Sequence, residues 1–476
     1  MYISRQNDLS RRAFFKRASA MAGLGVAAPL GLNLAAFGDA AAFDATDYKA
    51  LVAVFLYGGN DYGDTVIPFD NTNYDLYSAI RGGGAGRTAG GIARAQIDLA
   101  ATALSPKVAQ TLTNNIQYAL APELTGLTSL WNSGNLAVQL NVGPLIMPLT
   151  LAQYKAGNSA TVQIPAKLFS HNDQQSTWQS DGPEGTTVGW GGRIGDLALS
   201  SNSTSTFTCI NATGNAVYLA GQSAIQYAIS TNGAIPIGGL TTPRFGGAGV
   251  KTALSSLITN PSSQTLENEY VRVVNRSIQA QGLVSTGLAG ATLKTNFNPS
   301  GKSNSLAQQM KIVAELIAAR NTLGAKRQVF LVALSGFDLH DFLVRDHPVL
   351  LAKVDEAMSA FYAATVEMGV ANNVTTFTMS DFGRTLQSNG DGSDHGWGSH
   401  HFIMGGAVKG GQFYGTAPNV SLTTPDQVGQ GRLLPSTATD QYAATLAKWF
   451  GVSSTEMSSI VPNITNFSTA NLGFLG

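Results

Sequence analysis

The amino-acid sequence predicts an α/β fold built on a mainly parallel sheet. Short continuous apolar runs, such as residues 51–57, are typical of strands that are buried on both faces. Between residues 305 and 379, two such runs alternate with amphipathic helix patterns. This alternation indicates parallel strands that are joined by right-handed crossovers.

In the N-terminal half, the first strand is expected at 51–57, where two glycines follow it. A short helix is expected near 122–131 and a second buried strand at 136–142. Residues 197–260 are rich in Ser, Thr, Gly and Asn and contain short strand-like pieces. We expect this segment to form an insertion, either as a separate lobe or as an edge of the sheet.

The C-terminal half carries the clearest helix pattern, at residues 305–321. Leu306, Met310, Val313 and Ile317 recur on one helical face. A helix from Pro348 to residue 368 is predicted because proline suits the first helical position. The remaining elements that we expect are strands at 329–334 and 374–379 and a helix at 439–450.

Composition narrows the class of protein. The 476 residues include 29 basic and 29 acidic side chains, so no basic footprint for nucleic acid is present. Charged residues make up 12% and hydrophobic residues 44% of the chain, which favours a folded protein over a disordered one. The single cysteine, Cys209, excludes an intrachain disulfide and a thiolate metal cluster. We expect Cys209 to be a small buried apolar residue.

The first 42 residues are typical of an export signal. Residues 10–16 (SRRAFFK) match the twin-arginine pattern, and Ala40-Ala41-Ala42 offers a cleavage site. The apolar segment between them contains Ser, Pro and Asn, so we expect no stable membrane anchor. The sequence therefore predicts passage through the twin-arginine export machinery, a periplasmic or secreted location, and one mature domain at 43–476.

Three motifs follow predicted buried strands and end in acidic or imidazole side chains. They lie at 57–61, at 335–340, and at 380–384 with a continuation at 393–396. Residues past the carboxyl ends of parallel strands gather at one edge of the sheet, where ligands bind. We therefore expect these distant segments to form one metal-binding or acid/base site.

Histidines are few and clustered. Five of the six lie between positions 340 and 401, near several aspartates, and the sixth is His171. Imidazoles and carboxylates together suit Zn, Mn or Fe, and carboxylate-rich sets also admit Mg or Ca. If the strand continues, Asp338 and His340 point to the same side. Asp394 and His395 are adjacent, so both could serve as ligands only from an irregular, glycine-rich loop.

Each piece also has a purely structural interpretation. Asn60 and Asp61 follow two glycines and suit a turn. Asp381 could cap the turn after its strand, with Arg384 as its ion-pair partner. His347 is better interpreted as a helix residue than as a metal ligand. Of the adjacent His400 and His401, only one should point inward.

These motifs resemble those of the bacterial DUF1501 family across nearly the whole mature chain. The family looks like a branch of the alkaline phosphatase and sulfatase superfamily. The resemblance implies a three-layer α/β/α fold, a metal site at the strand ends, and hydrolysis or transfer of phosphate or sulfate esters. The matching segments are LYGGND (56–61), FSH (169–171), GWGGR (189–193), GFDLH (336–340), SDFGR (380–384), DHG (394–396), VKGG (408–411) and YAATL (442–446).

The resemblance also implies a set of metal ligands for Zn, Mn, Mg or Ca. An aspartate after the first strand and an Asp-His pair before glycine bind metal in that superfamily. An intermediate Asp and His complete the site, although their spacing here is tighter than the usual Asp-x-x-x-His. The predicted ligands are Asp61, Asp338, His340, Asp381, Asp394, His395 and His400, with His401 as an alternative to His400.

The superfamily uses a hydroxyl or modified cysteine nucleophile at a helix N-terminus, where the helix dipole stabilises negative charge. Ser170 is the predicted nucleophile, with Ser176 and Thr177 as alternatives, and the neighbouring His171 is predicted to be a second catalytic residue. Arg193 or Arg384 would bind an oxyanion, or else form a structural ion pair.

The leading hypothesis is an exported metal-dependent hydrolase of phosphate or sulfate esters, whose substrate is a small or polymeric anionic ester. An alternative is a non-catalytic exported binding or assembly protein on the same fold. A third is an enzyme that modifies sugars or polymers with paired carboxylates and no metal.

Overall fold

A mixed, mainly parallel sheet lies at the centre of the computed structural model, which describes residues 45–214, 216–240, 247–261 and 263–476. The predicted export signal, residues 1–42, lies outside the described residues. The strands, in chain order, are β1 (Lys49–Tyr57), β2 (Val66–Pro68), β3 (Tyr118–Leu120), β4 (Leu136–Gly143), β5 (Cys209–Asn211), β6 (Tyr227–Ser230), β7 (Gly233–Ala234), β8 (Arg327–Ser335), β9 (Val374–Ser380), β10 (Arg384–Ser388), β11 (Ser393–His395), β12 (Ser399–Met404), β13 (Phe413–Tyr414) and β14 (Thr437–Ala438).

The helices flank this sheet and connect its strands. In chain order they are α1 (Asn71–Arg81), α2 (Thr125–Ser133), α3 (Leu151–Ala156), α4 (His171–Ser180), α5 (Trp190–Ala198), α6 (Ala248–Thr259), α7 (Thr265–Gly290), α8 (Ser305–Ala318), α9 (Leu343–Glu367), α10 (Thr439–Phe450) and α11 (Met457–Ile460). No helix among the described residues is both long and apolar enough to cross a membrane.

The strand order in the described part of the sheet is β13-β4-β12-β9-β1-β8-β5-β6-β7, with β14 beside β4. β1 pairs in parallel with β8 and with β9, so that Tyr57 lies opposite Ser335 and Leu56 opposite Ser380. β12 runs antiparallel to both of its neighbours. The carboxyl ends of β1, β8 and β9 therefore lie side by side at one edge of the sheet.

Alternate residues of β1 pack into two separate cores. Val52 and Val54 face the core that includes α8 and α9, whereas Leu51 and Phe55 face the core that includes α5 and α10. Burying a large apolar side chain of this kind contributes about 1.5–3 kcal/mol relative to exposure. Helices thus cover both faces of the sheet, and the predicted three-layer α/β/α fold class is confirmed.

The helix expected to begin at Pro348 starts earlier, at Leu343. Its N-terminus is capped from another loop: Phe342 N–H donates to the Asp391 carboxylate at 3.0 Å, and Leu343 N–H donates to the Asp391 carbonyl at 3.1 Å. The local sequence did not predict the start of this helix at Leu343, because the residue that caps it lies almost fifty positions further along the chain. As expected, His347 is a helix residue and Cys209 is buried.

Candidate metal centre

The three predicted motifs meet at the carboxyl edge of the sheet. The Gly58 N–H donates to Asp381 Oδ1 at 3.1 Å, and the Phe337 N–H donates to the Tyr57 carbonyl at 3.1 Å. Gly58 adopts φ +117°, and a Cβ there would overlap the backbone nitrogen of Asp338. The close approach of the first two motifs therefore requires glycine at this position.

Asp338 lies at the centre of the cluster, in the loop after β8. Its Oδ1 is 3.1 Å from His340 Nε2 and 3.2 Å from His395 Nε2. Its Oδ2 is 3.3 Å from His171 Nε2. The Asp338 side chain is 44% exposed, so this carboxylate faces solvent on the side away from the protein.

His171 is the first residue of α4, and its other ring nitrogen is tethered. Its Nδ1 lies 2.6 Å from Oδ2 of the fully buried Asp381. The same oxygen accepts a hydrogen bond from Gln175 Nε2 at 2.7 Å. Because a carboxylate oxygen accepts here, Nδ1 carries the hydrogen and the Nε2 lone pair is left free. That Nε2 is buried and has no hydrogen-bond partner among the described residues.

His395 and His340 follow the same pattern. His395 Nδ1 donates to the Phe169 carbonyl at 2.7 Å, and His340 Nδ1 lies 3.2 Å from Asp394 Oδ1. Phe169 adopts φ +71°, an uncommon conformation for a bulky residue that is typical of functional sites. In this site, the positive φ of Phe169 directs its carbonyl oxygen towards the His395 imidazole.

The Nε2 atoms of three histidines thus lie around one carboxylate. His171, His395 and Asp338 bring ligand atoms within 4.8 Å of one another, as a divalent metal requires, and His340 Nε2 lies beside them. The Nε2 atoms of His340 and His395 are 2.9 Å apart, and their distances to Asp338 are 3.1–3.2 Å. Ligand bonds of 2.0–2.1 Å in a tetrahedral zinc site place neighbouring ligands about 3.3 Å apart. Imidazoles that bind zinc are usually held in place by an acceptor at Nδ1, and all three imidazoles here have such an acceptor.

Electrostatics favour the ligand forms of Asp338 and His395, whereas they favour the protonated form of His171. Burial raises the pKa of Asp338, but the Arg384 hydrogen bond and charge outweigh it and hold that pKa below its usual value. Burial lowers the pKa of His395. The Asp381 hydrogen bond raises the pKa of His171. The carboxylate is therefore ionised and His395 is neutral at neutral pH, as metal binding requires.

Arg384 is fully buried and holds the cluster from behind. Its guanidinium donates to Asp338 Oδ1 at 2.9 Å, to the Gly58 carbonyl at 2.9 Å, and to Ser393. These contacts favour a structural role over oxyanion binding, but the ion-pair partner is Asp338 and not Asp381, the partner that was expected. Arg384 fixes the position of Asp338 and has no exposed surface with which to contact a substrate.

Asp394 and His395 do not lie in the irregular loop that was expected. Both belong to β11, which pairs with β10 so that His395 lies opposite Arg384. Successive side chains of a strand diverge, and the two residues accordingly take different places. His395 contributes Nε2 to the cluster, whereas Asp394 binds the outer nitrogen of His340.

Asp61 was predicted to be a metal ligand, but its carboxylate is engaged by other residues. It forms a buried ion pair with Arg81 at 3.2 Å, and its Oδ1 accepts from the Asp64 N–H at 3.0 Å. Its Oδ2 accepts from Ser393 Oγ at 2.7 Å. Asp61 therefore caps a turn and supports the loop under Arg384, and its carboxylate is occupied by these partners.

Arg193 and His400 are also not brought to the cluster. Arg193 donates to the carbonyls of Ile460 at 2.7 Å and Ser180 at 2.8 Å. His400 Nδ1 accepts from the Asn141 N–H at 3.1 Å, and burial lowers its pKa to about 3. The alternative, His401, is equally buried, with a pKa lowered to about 3. These side chains stabilise the fold.

The predicted nucleophiles are engaged elsewhere. Ser170 Oγ donates to Asp173 Oδ2 at 2.9 Å, Thr177 Oγ1 to the Asp173 carbonyl at 2.8 Å, and Ser176 Oγ to the Pro183 carbonyl at 2.8 Å. In the part of the chain that the structure describes, none of these hydroxyls hydrogen-bonds to an imidazole. No base therefore stands ready to activate them in this conformation.

Sequence reasoning missed three contributors: the Phe169 carbonyl, Gln175 and Arg432. Gln175 could have been found, because it lies four residues after His171 on the same helical face. Arg432 donates through Nε to the His395 carbonyl at 2.7 Å. Its place depends on a turn far along the chain, so no local signal marks it.

A family model described as "Protein of unknown function (DUF1501)" matches residues 48–456. No curated protein matches the chain. A crystal structure of Ps i-CgsB in complex with k-i-k-neocarrahexaose shares 10% identity, with 88% of this chain and 77% of that chain covered and a TM-score of 0.33. A structure described as BT33494S-sulf, from work on glycosaminoglycan metabolism by Bacteroides thetaiotaomicron, shares 9% identity over 86% and 74% of the chains, with a TM-score of 0.33. Neither likeness bears on function.

Proposed function

Because the chain belongs to the DUF1501 family, whose description states no function, we propose its function from the site geometry: a metal-dependent hydrolase of phosphate or sulfate esters that acts after export. One observation carries the proposal. Three histidines, each tethered at Nδ1, direct Nε2 towards the partly exposed carboxylate of Asp338.

The residues that would hold the metal are His171, His340, His395 and Asp338. A divalent ion bound there would polarise an ester oxygen and lower the pKa of a water molecule. Asp381, Asp394 and the Phe169 carbonyl keep the imidazoles in the tautomer that leaves Nε2 free.

The cluster resembles a catalytic site more than a closed structural one. Structural zinc sites are enclosed by four protein ligands, whereas catalytic sites keep an open position. Here the Asp338 and His340 side chains are 44% and 41% exposed, so one side of the cluster is accessible. On the inner side, the Phe382 ring packs 4.8 Å from His171 and 4.7 Å from His395, which excludes water there.

Water is a better supported nucleophile than Ser170. The Ser170 hydroxyl donates to Asp173 within its own helix, and the accessible side of the cluster is lined by Asp338 and His340. An ionised Asp338 would orient a water beside the bound ion through a hydrogen bond. Arg384 keeps that carboxylate in place through its buried hydrogen bond.

Export by the twin-arginine route remains part of the proposal. It rests on the SRRAFFK motif and the small-residue segment before residue 43. This route carries folded chains, so the metal would be bound before export. The relationship to the alkaline phosphatase and sulfatase superfamily, suggested by the motifs, belongs to the same proposal.

The test begins with the mature chain, residues 43–476. Its metal content is measured after expression and after loading with zinc or manganese, and p-nitrophenyl phosphate and p-nitrophenyl sulfate are then offered as substrates. We expect about one metal per chain and turnover of at least one ester. His395→Gln should abolish both, whereas His401→Gln, a buried histidine outside the cluster, should retain both.

Two outcomes would redirect the proposal. Stoichiometric metal without turnover of either ester would favour the non-catalytic binding protein. Failure to bind any divalent metal above trace levels, in a chain with a native circular dichroism spectrum, would remove the basis of the hydrolase.

A further inference from the structure

Arg432 projects from a firmly fixed turn beside the metal centre. The Val428 N–H donates to its carbonyl at 2.8 Å, and its own N–H donates to the Gly429 carbonyl at 3.0 Å. The neighbouring Gly431 carbonyl accepts from the Tyr62 hydroxyl at 2.8 Å. The backbone of this turn is thus held by its own hydrogen bonds and by Tyr62, the residue after the first motif, so Arg432 extends from a fixed backbone.

The guanidinium itself is also positioned. Its Nε donates to the His395 carbonyl at 2.7 Å, and its Cζ lies 5.4 Å from the centre of the Phe169 ring. Both of these residues belong to the metal centre: His395 supplies a ligand atom, and the Phe169 carbonyl holds that imidazole. A cation is therefore attached to the rim of the site.

Unlike the other arginines around the site, Arg432 lacks a carboxylate partner. Arg81 pairs with Asp61 at 3.2 Å, and Arg384 pairs with Asp338 at 2.9 Å. Among the described residues, no carboxylate lies within 4.0 Å of Arg432, and its two Nη groups make no hydrogen bond. Its positive charge therefore has no close carboxylate partner among the described residues.

From these contacts we propose that Arg432 binds a second anionic group of the substrate, distinct from the ester at the metal centre, and so selects substrates that carry several anionic groups. This inference rests on the proposed function and narrows its substrate class. A sulfate, phosphate or carboxylate group matches the two free Nη donors of a guanidinium.

The anion at Arg432 is separate from the reacting ester for a geometric reason. Arg432 contacts His395 at its main-chain carbonyl, whereas the imidazole Nε2 faces Asp338. The Phe169 ring lies beneath the guanidinium. Arg432 therefore approaches His395 at its main chain, whereas the metal centre lies at the side-chain end of the same residue.

The surroundings suit an extended substrate such as an anionic polymer. Phe169 and Tyr154 are partly exposed aromatic residues beside Arg432, and Tyr154 packs 5.8 Å from the buried Trp397. Tyr154 lies near enough to Arg432 for an electrostatic interaction. Flat apolar rings next to a cation can cover the face of a ring-shaped unit while the guanidinium holds its charge.

The first arm of the test measures polyanion binding and needs no turnover. The mature chain, treated with EDTA, is compared on gels that contain dextran sulfate or uncharged dextran, at 0.15 M salt. We expect Arg432→Gln to weaken dextran sulfate binding about tenfold or more, since a charge-assisted contact is lost. Arg432→Lys should recover part of the affinity because it keeps the charge.

The matched control is Arg272→Gln, which removes one positive charge from an exposed site on α7. Equal weakening in Arg432→Gln and Arg272→Gln would overturn the proposal, because the effect would then be one of net charge. Thermal melting of each variant establishes that the fold is retained, and recovery in the lysine variant separates loss of charge from loss of fold.

The second arm distinguishes the two anionic groups. For p-nitrophenyl phosphate or sulfate, which carries only the reacting ester, the KM of Arg432→Gln should rise far less than the affinity for a polyanion falls. The inhibition constant of short dextran sulfate against the same substrate should rise about tenfold. A parallel rise in KM for the simple ester would overturn the assignment to a second group. If the chain binds no metal, the first arm still decides whether Arg432 binds polyanions, so the two failures are distinguishable.

Discussion

Replacing Asp381 with asparagine tests the outer tether of the metal centre. The buried carboxylate accepts from the Gly58 N–H at 3.1 Å, from His171 Nδ1 at 2.6 Å and from Gln175 Nε2 at 2.7 Å. Asparagine keeps the shape but turns one acceptor into a donor. If the amide nitrogen replaces Oδ1, the Gly58 hydrogen bond is lost; if it replaces Oδ2, both the His171 and the Gln175 hydrogen bonds are lost.

The magnitude follows from which hydrogen bond is lost. If the amide group faces His171, Nδ1 must accept and the hydrogen moves to Nε2, which then cannot bind metal. Loss of an outer-shell partner of this kind typically weakens metal affinity by about 10–100-fold, which corresponds to about 1.4–2.8 kcal/mol. If the amide faces Gly58 instead, a buried N–H is left unsatisfied at a cost of about 1–3 kcal/mol in stability.

The assay is a competition between the protein and a chromophoric chelator for zinc at pH 7.5, together with urea unfolding of the metal-free chain. The matched control is Asp440→Asn, which neutralises another buried aspartate. Burial raises the pKa of Asp440 to about 6, so a neutral amide is tolerated there, and we expect unchanged zinc affinity. If Asp381→Asn keeps both the zinc affinity and the stability of the wild type, Asp381 does not hold His171 in its metal-binding tautomer.

Three further changes test other parts of the structure. Burial lowers the pKa of His401 to about 3, so below pH 6.5 the unfolded chain takes up a proton that the folded chain refuses. Stability should therefore fall as pH drops, by about 2 kcal/mol from this residue between pH 8 and 5; His401→Leu should lose that part of the pH dependence in urea titrations. Arg384→Met should lower the free energy of unfolding by about 2–3 kcal/mol and weaken metal binding, because Asp338 loses its buried donor; unchanged metal affinity would contradict this role. Gly58→Ala should destabilise the chain by more than Gly429→Ala. Both glycines have φ near +117°, but only at Gly58 would a Cβ overlap the backbone of another segment. Equal shifts in melting temperature would reject the explanation that Gly58 permits this close approach.

The convergence of the motifs was predictable because it depends only on sheet geometry. Buried apolar runs indicate parallel strands, and parallel strands present their carboxyl ends at one edge. Asp338, His340 and His395 follow from this rule. His171 follows less directly, since it lies on α4 and was predicted as a catalytic residue rather than a ligand. Its helix brings it to the same edge.

The partners of individual side chains were not predictable. Asp61 occupies the place that the family resemblance assigns to a metal ligand, but Arg81, twenty residues later, folds back and pairs with it. Likewise, His400 is held by a backbone N–H of β4. Sequence position shows which residues reach the edge of the sheet, whereas packing of distant segments decides which of them stay free to bind an ion.

The most direct measurement is X-ray absorption at the zinc edge on the mature chain loaded with one equivalent of zinc. We expect tight binding of one ion, with about three imidazole nitrogens and at least one oxygen at about 2.0–2.1 Å. His171→Gln should reduce the imidazole count by one. A chain that binds no zinc, or a zinc shell without imidazole, would contradict the central claim that His171, His340, His395 and Asp338 form a metal centre.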